Sequence, residues 1–296
     1  MMKRLLKWLT WGVGSVVALV VLVVAVAWWH SEQGRTRQYA IDDPPLSRSS
    51  SPEVLARGEH LFHTLACAEC HGDQGQGGLV MDAGPVMRAV APNLTQGHLP
   101  AGYDVDAIAA AVRHGVRANG QALVFMPAAS WTELDDADMT ALASYVLALP
   151  GVANDPGATE LRPLGRVLNL LGALDLFPAE QIDHTPRTRQ APEAIVSVDY
   201  GRYLAGVCMD CHGANLQGGK GFGPENPLSS NLTPHADGLG GWQETDFQRA
   251  LREGVRPDGS SLHPIMPWRA TARMSDTELA ALWVYLRSVP PLPDGP

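Results

Sequence analysis

The 296-residue sequence is long enough for two domains of ordinary size together with additional segments. Charged residues make up 18% of the chain, and its 30 glycines and 23 prolines predict many loops in a folded, not a disordered, protein. Because the net charge is −9 and residues 1–37 hold an excess of basic side chains, the rest of the chain is acidic, which argues against binding to nucleic acid.

The first predicted element is a membrane anchor at residues 1–30. Residues 8–29 carry no charge, and about 20 apolar residues are enough to cross a bilayer. Three basic residues precede this run, which predicts a cytoplasmic N-terminus and places the rest of the chain on the periplasmic side of a bacterial inner membrane. A cleaved signal peptide is the alternative, because Ala-Val-Ala at 25–27 fits a cleavage site. The length of the apolar run favours an uncleaved, single-pass helix.

A sequence repeat organises the chain after the anchor. When the chain is aligned with itself at an offset of about 140 residues, the Asn-Leu-Thr at 93–95 matches the Asn-Leu-Thr at 231–233. We therefore predict two copies of one domain, at 53–150 and 195–296, with a polar tether at 31–52 between the anchor and the first copy.

Both copies show the patterning of helices, and neither has a run of alternating apolar residues that would predict a strand. In the first copy, Asp104 is suited to cap a helix that ends at Gly115. In the second, Thr245 is suited to cap the equivalent helix, and Ser275 with Glu278 forms a capping box for the last one. The predicted fold class is therefore all-α: an N-terminal transmembrane helix followed by two tandem domains with long loops.

The segment between the copies, 151–194, is predicted to be a linker with one amphipathic helix at 164–177, which ends before Pro178. This helix could pack between the domains, lie on the bilayer surface or bind a partner subunit. We expect the first of these, because packing between domains is the commonest arrangement.

All four cysteines lie in two copies of a Cys-x-x-Cys-His pattern, CAECH at 67–71 and CMDCH at 208–212. This is the attachment pattern of haem c. Two thiols at this spacing form thioether bonds to the two vinyl groups of one porphyrin, and the adjacent histidine is thereby held beneath the iron. The sequence therefore predicts two covalently bound haem c groups, attached through Cys67, Cys70 and His71 in the first copy and Cys208, Cys211 and His212 in the second.

Three other uses of a Cys-x-x-Cys pair fit the sequence less well. A disulfide within each pair would leave the two histidines unexplained. A zinc site built from both pairs would need them roughly 15–20 residues apart, whereas more than a whole domain separates them. A thioredoxin-like site expects a βαβ setting, which the helical pattern lacks.

Methionine is the usual second axial ligand of haem iron in cytochromes c. Met126 lies 55 residues after His71, and Met266 lies 54 residues after His212. Each is followed by proline and precedes the last helix of its copy, and the other methionines do not recur at matching positions. We therefore predict that the iron ligands are His71 with Met126 and His212 with Met266.

These motifs resemble those of the class I cytochromes c, in a two-domain, membrane-anchored form. Pro92-Asn93-Leu94 is similar to a turn of that family in which the proline carbonyl accepts a hydrogen bond from the haem-ligating histidine. The resemblance therefore implies this role for Pro92 toward His71. The second copy departs from the pattern, since Ser230 stands at the proline position, and the resemblance does not extend to a matching contact at His212.

Residues 231–268 are similar to the cytochrome subunits of periplasmic alcohol-type dehydrogenases, in which the cytochrome carries electrons from a catalytic subunit to a quinone or a terminal oxidase. The resemblance implies an electron-transfer protein, not an enzyme. Its implied partners are the membrane and a redox protein, either a dehydrogenase subunit or a terminal oxidase. Two alternatives stay open: a dihaem peroxidase-type enzyme, against which a Met-Pro pair in both copies argues, and the dihaem subunit of a cbb3-type haem–copper oxidase.

Overall fold

The computed structural model describes residues 2–221 and 226–295. It begins with helix α1, Met2–Thr36, and the segment Leu6–Thr36 is long and apolar enough to cross a membrane. The most apolar window of α1 has none of its residues buried by the rest of the chain. This exposure is what a helix surrounded by lipid requires.

The predicted polar tether, 31–52, is structured along its length. Its first six residues continue α1, because an ion pair between Glu32 and Arg35, 2.6 Å long, supports the last turns of the helix. The following residues form no helix or strand but lie against the first repeat, where the backbone N–H of Leu46 donates to a carboxylate oxygen of Asp106 at 2.8 Å. The tether is therefore attached to the first repeat instead of hanging between two bodies.

The first repeat is built around a helical core. Its elements are α2, Pro52–Thr64; α3, Cys67–His71; β1, Gly78–Asp82; β2, Met87–Ala91; α4, Val105–His114; and α5, Asp136–Val146, with a 3₁₀ turn at Ala128–Trp131. Phe62, Ile108 and Leu142 are buried where α2, α4 and α5 meet. The predicted cap at Asp104 is confirmed, since its carboxylate accepts a hydrogen bond from the N–H of Ala107 at 2.9 Å.

The second repeat follows the same plan with its own apolar core. Its helices are α7, Val198–Leu204; α8, Gly206–His212; α9, Glu244–Glu253; α10, Trp268–Thr271; and α11, Asp276–Ser288. The capping box of Ser275 and Glu278 is confirmed. The predicted cap at Thr245 is wrong, because the helix is capped two residues earlier, at Gln243, which forms a capping box with Asp246 and places Thr245 inside α9.

A glycine allows the first and last helices of each repeat to cross closely. A Cβ on Gly58 would lie 2.1 Å from the carbonyl oxygen of Ala141, and a Cβ on Gly201 would lie 2.0 Å from that of Ala281. Both are backbone contacts that cannot move aside. The two repeats therefore share one helix crossing, α2 on α5 and α7 on α11, that requires glycine.

The all-α prediction is only approximately right, because the described residues include a small antiparallel sheet in the order β1-β2-β3, with β3 at Glu160–Leu161. Gly78 pairs with Ala91, and Met87 pairs with Leu161. These strands are short, and the inward positions of β2 include alanines, so no apolar alternation is visible in the sequence.

The linker helix α6, Pro163–Leu170, is shorter than the predicted helix at 164–177 and packs along α1 instead of between the repeats. It stops early because Gly172 adopts a left-handed conformation, with φ of 68°. The following residues, including Leu176, pack into an apolar cluster of the first repeat. The prediction that this helix lies between the domains is therefore wrong, and the linker belongs physically to the first repeat.

Candidate functional site

The two Cys-x-x-Cys-His patterns form short helices, α3 and α8. At a spacing of three residues, both thiols of a pair project from one side of a helical turn, and the histidine follows on the same turn. No disulfide joins any of the four cysteines. Burial raises the pKa of Cys67 and of Cys208 to about 12, so both thiols are protonated at neutral pH in the unmodified chain.

Each histidine is held through one ring nitrogen. Nδ1 of His71 donates to the carbonyl oxygen of Pro92 at 3.0 Å, and Nδ1 of His212 donates to that of Ser230 at 2.6 Å. Burial lowers the pKa of both imidazoles, and these hydrogen bonds act in the opposite direction. The ring is therefore neutral, with its proton on Nδ1, and Nε2 keeps the lone pair that a metal requires.

The contact at Ser230 shows that the second repeat keeps the hydrogen bond to its histidine although serine replaces proline at this position. The acceptor is a backbone carbonyl, so proline is not needed to supply it. What the turn does require is a close approach by glycine: a Cβ on Gly77 would lie 2.6 Å from the oxygen of Ala91, and one on Gly218 would lie 2.4 Å from that of Ser229. Both glycines recur after the histidines and keep the acceptor carbonyls in place.

The recurring Asn-Leu-Thr motif has a structural role. Asn93 donates through Nδ2 to the carbonyl oxygen of Val152 at 2.9 Å, and Asn231 donates to that of Leu292 at 2.8 Å. Both asparagines are buried. Each ties the turn that positions the histidine to the chain segment that follows the last helix of its repeat.

Met126 and Met266 occupy equivalent turns. The prolines that follow have nearly the same conformation, with φ of −78° at both and ψ of 56° at Pro127 and 54° at Pro267. Met126 packs on the same apolar cluster as Cys67, and Met266 packs on the same cluster as Cys208. The structure therefore brings the predicted attachment helix and the predicted methionine together in each repeat.

Sequence reasoning missed the restraint on the Met126 turn. Phe125 has a positive φ of 66°, which is unfavourable for a bulky residue, and its N–H donates to the carbonyl oxygen of Leu176 at 3.0 Å. The linker therefore holds the strained residue that precedes Met126. A positive φ at phenylalanine leaves no signal in a single sequence.

The contact between the repeats, also missed, has an approximate two-fold relation. His60 and Tyr203 are equivalent residues on the first helices, and Asp138 and Glu278 are equivalent residues on the last helices. Nε2 of His60 lies 2.9 Å from Oε1 of Glu278, and the hydroxyl of Tyr203 donates to Oδ2 of Asp138 at 2.8 Å. Each first helix thus reaches across to the last helix of the other repeat, and Arg57 bridges both carboxylates, at 2.8 Å from Asp138 and 3.4 Å from Glu278.

Glu278 should make the stability of the protein depend on pH. Burial acts to raise the pKa of Glu278, but hydrogen bonds from His60 and the Ser275 N–H outweigh it and lower the pKa to about 2, from 4.5. A depressed pKa stabilises the folded state above pH 4.5, and this contribution is lost as the pH falls towards 2. The depression corresponds to about 3 kcal/mol.

Thermal unfolding of the full chain in detergent, followed from neutral to acidic pH, measures this contribution. We expect Glu278→Gln to lower the free energy of unfolding at neutral pH and to weaken its dependence on pH between 4.5 and 2. Glu253→Gln removes an exposed carboxylate of α9 and serves as the matched control. An unchanged acid profile in Glu278→Gln would contradict the assignment.

Comparison with known proteins identifies a family and several relatives. Residues 55–150 and 198–290 match the family model described as Cytochrome c. The gluconate 2-dehydrogenase cytochrome c subunit of Pantoea cypripedii is 37% identical over 107 residues, and the fructose dehydrogenase cytochrome subunit of Gluconobacter japonicus is 34% identical over 118 residues. A diheme cytochrome c-type protein of Cereibacter sphaeroides is 31% identical over 101 residues.

These similarities cover parts of each protein. The matched segments comprise 32%, 36% and 30% of this chain in the same order. They comprise only 23%, 24% and 34% of the lengths of the three relatives. The activities and complexes named for those relatives therefore belong to the relatives, of which this chain matches only a part.

Proposed function

Because the chain belongs to the cytochrome c family, we propose that it is a membrane-anchored dihaem cytochrome that transfers electrons between a redox enzyme and the respiratory chain. One observation carries the proposal. Both repeats combine a Cys-x-x-Cys-His helix, a carbonyl that holds Nδ1 of the histidine, and a Met-Pro turn on the same apolar cluster.

The donor atoms in each repeat fit haem c. The thiols lie on one helical turn, the imidazole Nε2 is free of hydrogen bonds to the described residues, and a thioether sulfur is available on the same cluster. We assign the attachment and ligand residues as Cys67, Cys70, His71 and Met126 in the first repeat and Cys208, Cys211, His212 and Met266 in the second. When bound in this way, haem iron supplies reversible one-electron transfer, and methionine ligation raises its reduction potential.

The chain's own residues supply positioning and exclusion of water. The carbonyls of Pro92 and Ser230 fix the tautomer and orientation of the histidines. The apolar clusters on which Met126 and Met266 pack would exclude water from the bound group. In the first repeat, the buried Nε1 of Trp131 has no hydrogen-bond partner among the described residues and is available to a polar edge of the bound group.

The location follows from α1. Its basic N-terminal residues favour a cytoplasmic start, and its apolar length favours a single crossing, so both repeats would lie on the periplasmic side of a bacterial inner membrane. Haem c is attached outside the cytoplasm, which agrees with this orientation. The names of the relatives favour a dehydrogenase subunit as the electron donor. A terminal oxidase is the acceptor that the proposed role in the respiratory chain requires.

The equivalence of the two Met-Pro turns also bears on the alternative functions. A peroxidase-type enzyme needs one iron with an open position, whereas Pro127 and Pro267 give both repeats the same turn. This equivalence argues for two filled irons. A dihaem subunit of a cbb3-type oxidase would share the anchor and both repeats, and it differs in having a fixed oxidase as its partner.

An optical redox titration of the detergent-purified full chain tests the proposal. We expect two low-spin haems whose spectra do not change with carbon monoxide or peroxide. The same samples should give two haems per chain in a covalent-haem assay. A high-spin haem that binds either ligand, together with peroxide turnover, would overturn the carrier assignment in favour of the peroxidase-type enzyme.

A further inference from the structure

The linker helix α6 has an apolar face that the rest of the described chain does not cover. Leu164 and Leu171 are seven residues apart, so they lie on the same side of the helix, and they are 43% and 71% exposed. Val167 and Leu168 lie between them on that side and are half-buried. We refer to these four residues as the α6 face; it contains no charged residue.

The position of α6 relative to α1 is defined by one arginine. The guanidinium of Arg166 stacks 3.8 Å from the ring centroid of Trp28, lies 3.0 Å from Oε1 of Glu32, and donates to the hydroxyl of Ser31. Ala27 and Ser31 of α1 are completely buried. Helix α6 is therefore packed on the turns of α1 where the apolar run ends.

A second set of contacts prevents α6 from moving away from the first repeat. A Cβ on Gly165 would lie 2.2 Å from the carbonyl oxygen of Val86 at the tip of the β1–β2 hairpin. The N–H of Leu164 donates to the carbonyl oxygen of Pro85 at 3.2 Å, and the N–H of Arg162 donates to that of Val86 at 3.1 Å. The α6 face is thus fixed relative to both α1 and the first repeat.

We propose that the α6 face lies in the outer interface of the bilayer, with Leu164 and Leu171 at the boundary between headgroups and acyl chains; this inference rests on the proposed membrane span of α1. Tryptophans at the end of an apolar run mark the interfacial level, and Trp28 and Trp29 are such a pair. Arg166 stacks on Trp28, so α6 lies beside the turn of α1 that marks this level. Amphipathic helices at this level bury their apolar face about 5–10 Å into the headgroup boundary.

The absence of charge on the α6 face determines which membranes it should contact. Arg166 is the one charged residue of α6, and it is engaged by α1. Electrostatic attraction to anionic headgroups therefore contributes little, and binding should be equal for zwitterionic and anionic membranes. A bilayer contact of this kind would hold the first repeat on the membrane in one orientation. The side of the repeat that carries α6 would then be inaccessible to redox partners.

Site-directed spin labelling of the full holoprotein in phosphatidylcholine nanodiscs tests the inference. The native cysteines are consumed by haem attachment, so each introduced cysteine is the only free thiol. We expect labels at Leu164→Cys and Leu171→Cys to be accessible to oxygen and shielded from a water-soluble nickel complex. The matched control, Leu228→Cys, replaces a leucine of the second repeat that is 63% exposed, and its label should show the reverse pattern.

A reference label at Val17→Cys, in the middle of the apolar run, distinguishes a failure of the α6 inference from a failure of the proposed membrane span. If that label is in lipid while the two α6 labels are accessible to nickel, the α6 inference is wrong and the membrane span stands. If the Val17 label is itself accessible to nickel, the proposed anchoring fails. Labels at α6 that are shielded from both reagents, or broadened by a second spin, would instead indicate a protein partner or a second copy and would also overturn the lipid contact.

Discussion

The Met126→Ala variant is expected to bind carbon monoxide at one of the two proposed haems, whereas the unmodified protein is expected to bind none. Met126 is the only methionine of the first repeat that has an equivalent in the second repeat, and it packs on the same apolar cluster as Cys67. Removing its sulfur leaves no soft donor at that turn, so the iron position opens to a small ligand. Met266→Ala should produce the same change in the second repeat.

Carbon monoxide difference spectra of the reduced proteins measure this effect. We expect about half of the total haem to respond in each single variant, and all of it in the double variant, with a lower reduction potential for the altered haem. Met81→Ala provides the matched control, since Met81 lies on β1, is 40% exposed and has no equivalent in the second repeat. If the single variants stay insensitive to carbon monoxide, other side chains ligate the irons.

The second large effect is expected from Cys208→Ser combined with Cys211→Ser. These are the only thiols of the second repeat, so the covalent haem content should fall from two groups per chain to one. Cys208 and Met266 both pack on the apolar core of that repeat, so the loss of the group should also destabilise the second repeat selectively.

Intact mass measurement and haem staining after denaturing electrophoresis give the covalent haem count. The matched variant, Cys67→Ser with Cys70→Ser, should show the same loss in the first repeat. If either double variant keeps two covalent groups, the cysteine assignment is wrong. If both lose all haem, attachment at the two repeats is coupled, contrary to the picture of two sites with separate cores.

The two sites differ in what holds their methionine turns. In the first repeat, the strained Phe125 is hydrogen-bonded to Leu176 of the linker, which is fully buried. In the second repeat, the residue before the methionine, Ile265, is 41% exposed. We expect the Met266 turn to be the more easily displaced of the two, so carbon monoxide should compete with methionine at the second repeat first under mildly denaturing conditions.

The interface between the repeats connects helices that lie next to both proposed sites. His60 and Glu278, and Tyr203 and Asp138, join helices that start or end next to the attachment helices and methionine turns. A change at Glu278 therefore disturbs the relative placement of the repeats as well as their stability. This placement would determine the distance that an electron must cover between the two proposed haems.

The sequence by itself was enough to propose the chemistry of the site, because the residues proposed for it form local patterns. Two cysteines and a histidine within five residues constrain a single helical turn, and their recurrence with a Met-Pro pair at matching distances identified the eight proposed residues. The apolar run and the cap at Asp104 were visible for the same reason: hydropathy and capping depend on neighbouring residues.

Only the tertiary structure decided how these parts are held together. The acceptor for His212 is the backbone of Ser230, and any residue can offer a carbonyl, so side-chain identity could not reveal it. The linker helix lies on α1 and not between the repeats because Arg166 meets Glu32, a pairing over more than a hundred residues. Such contacts depend on the path of the whole chain, and a single sequence does not encode that path in any local pattern.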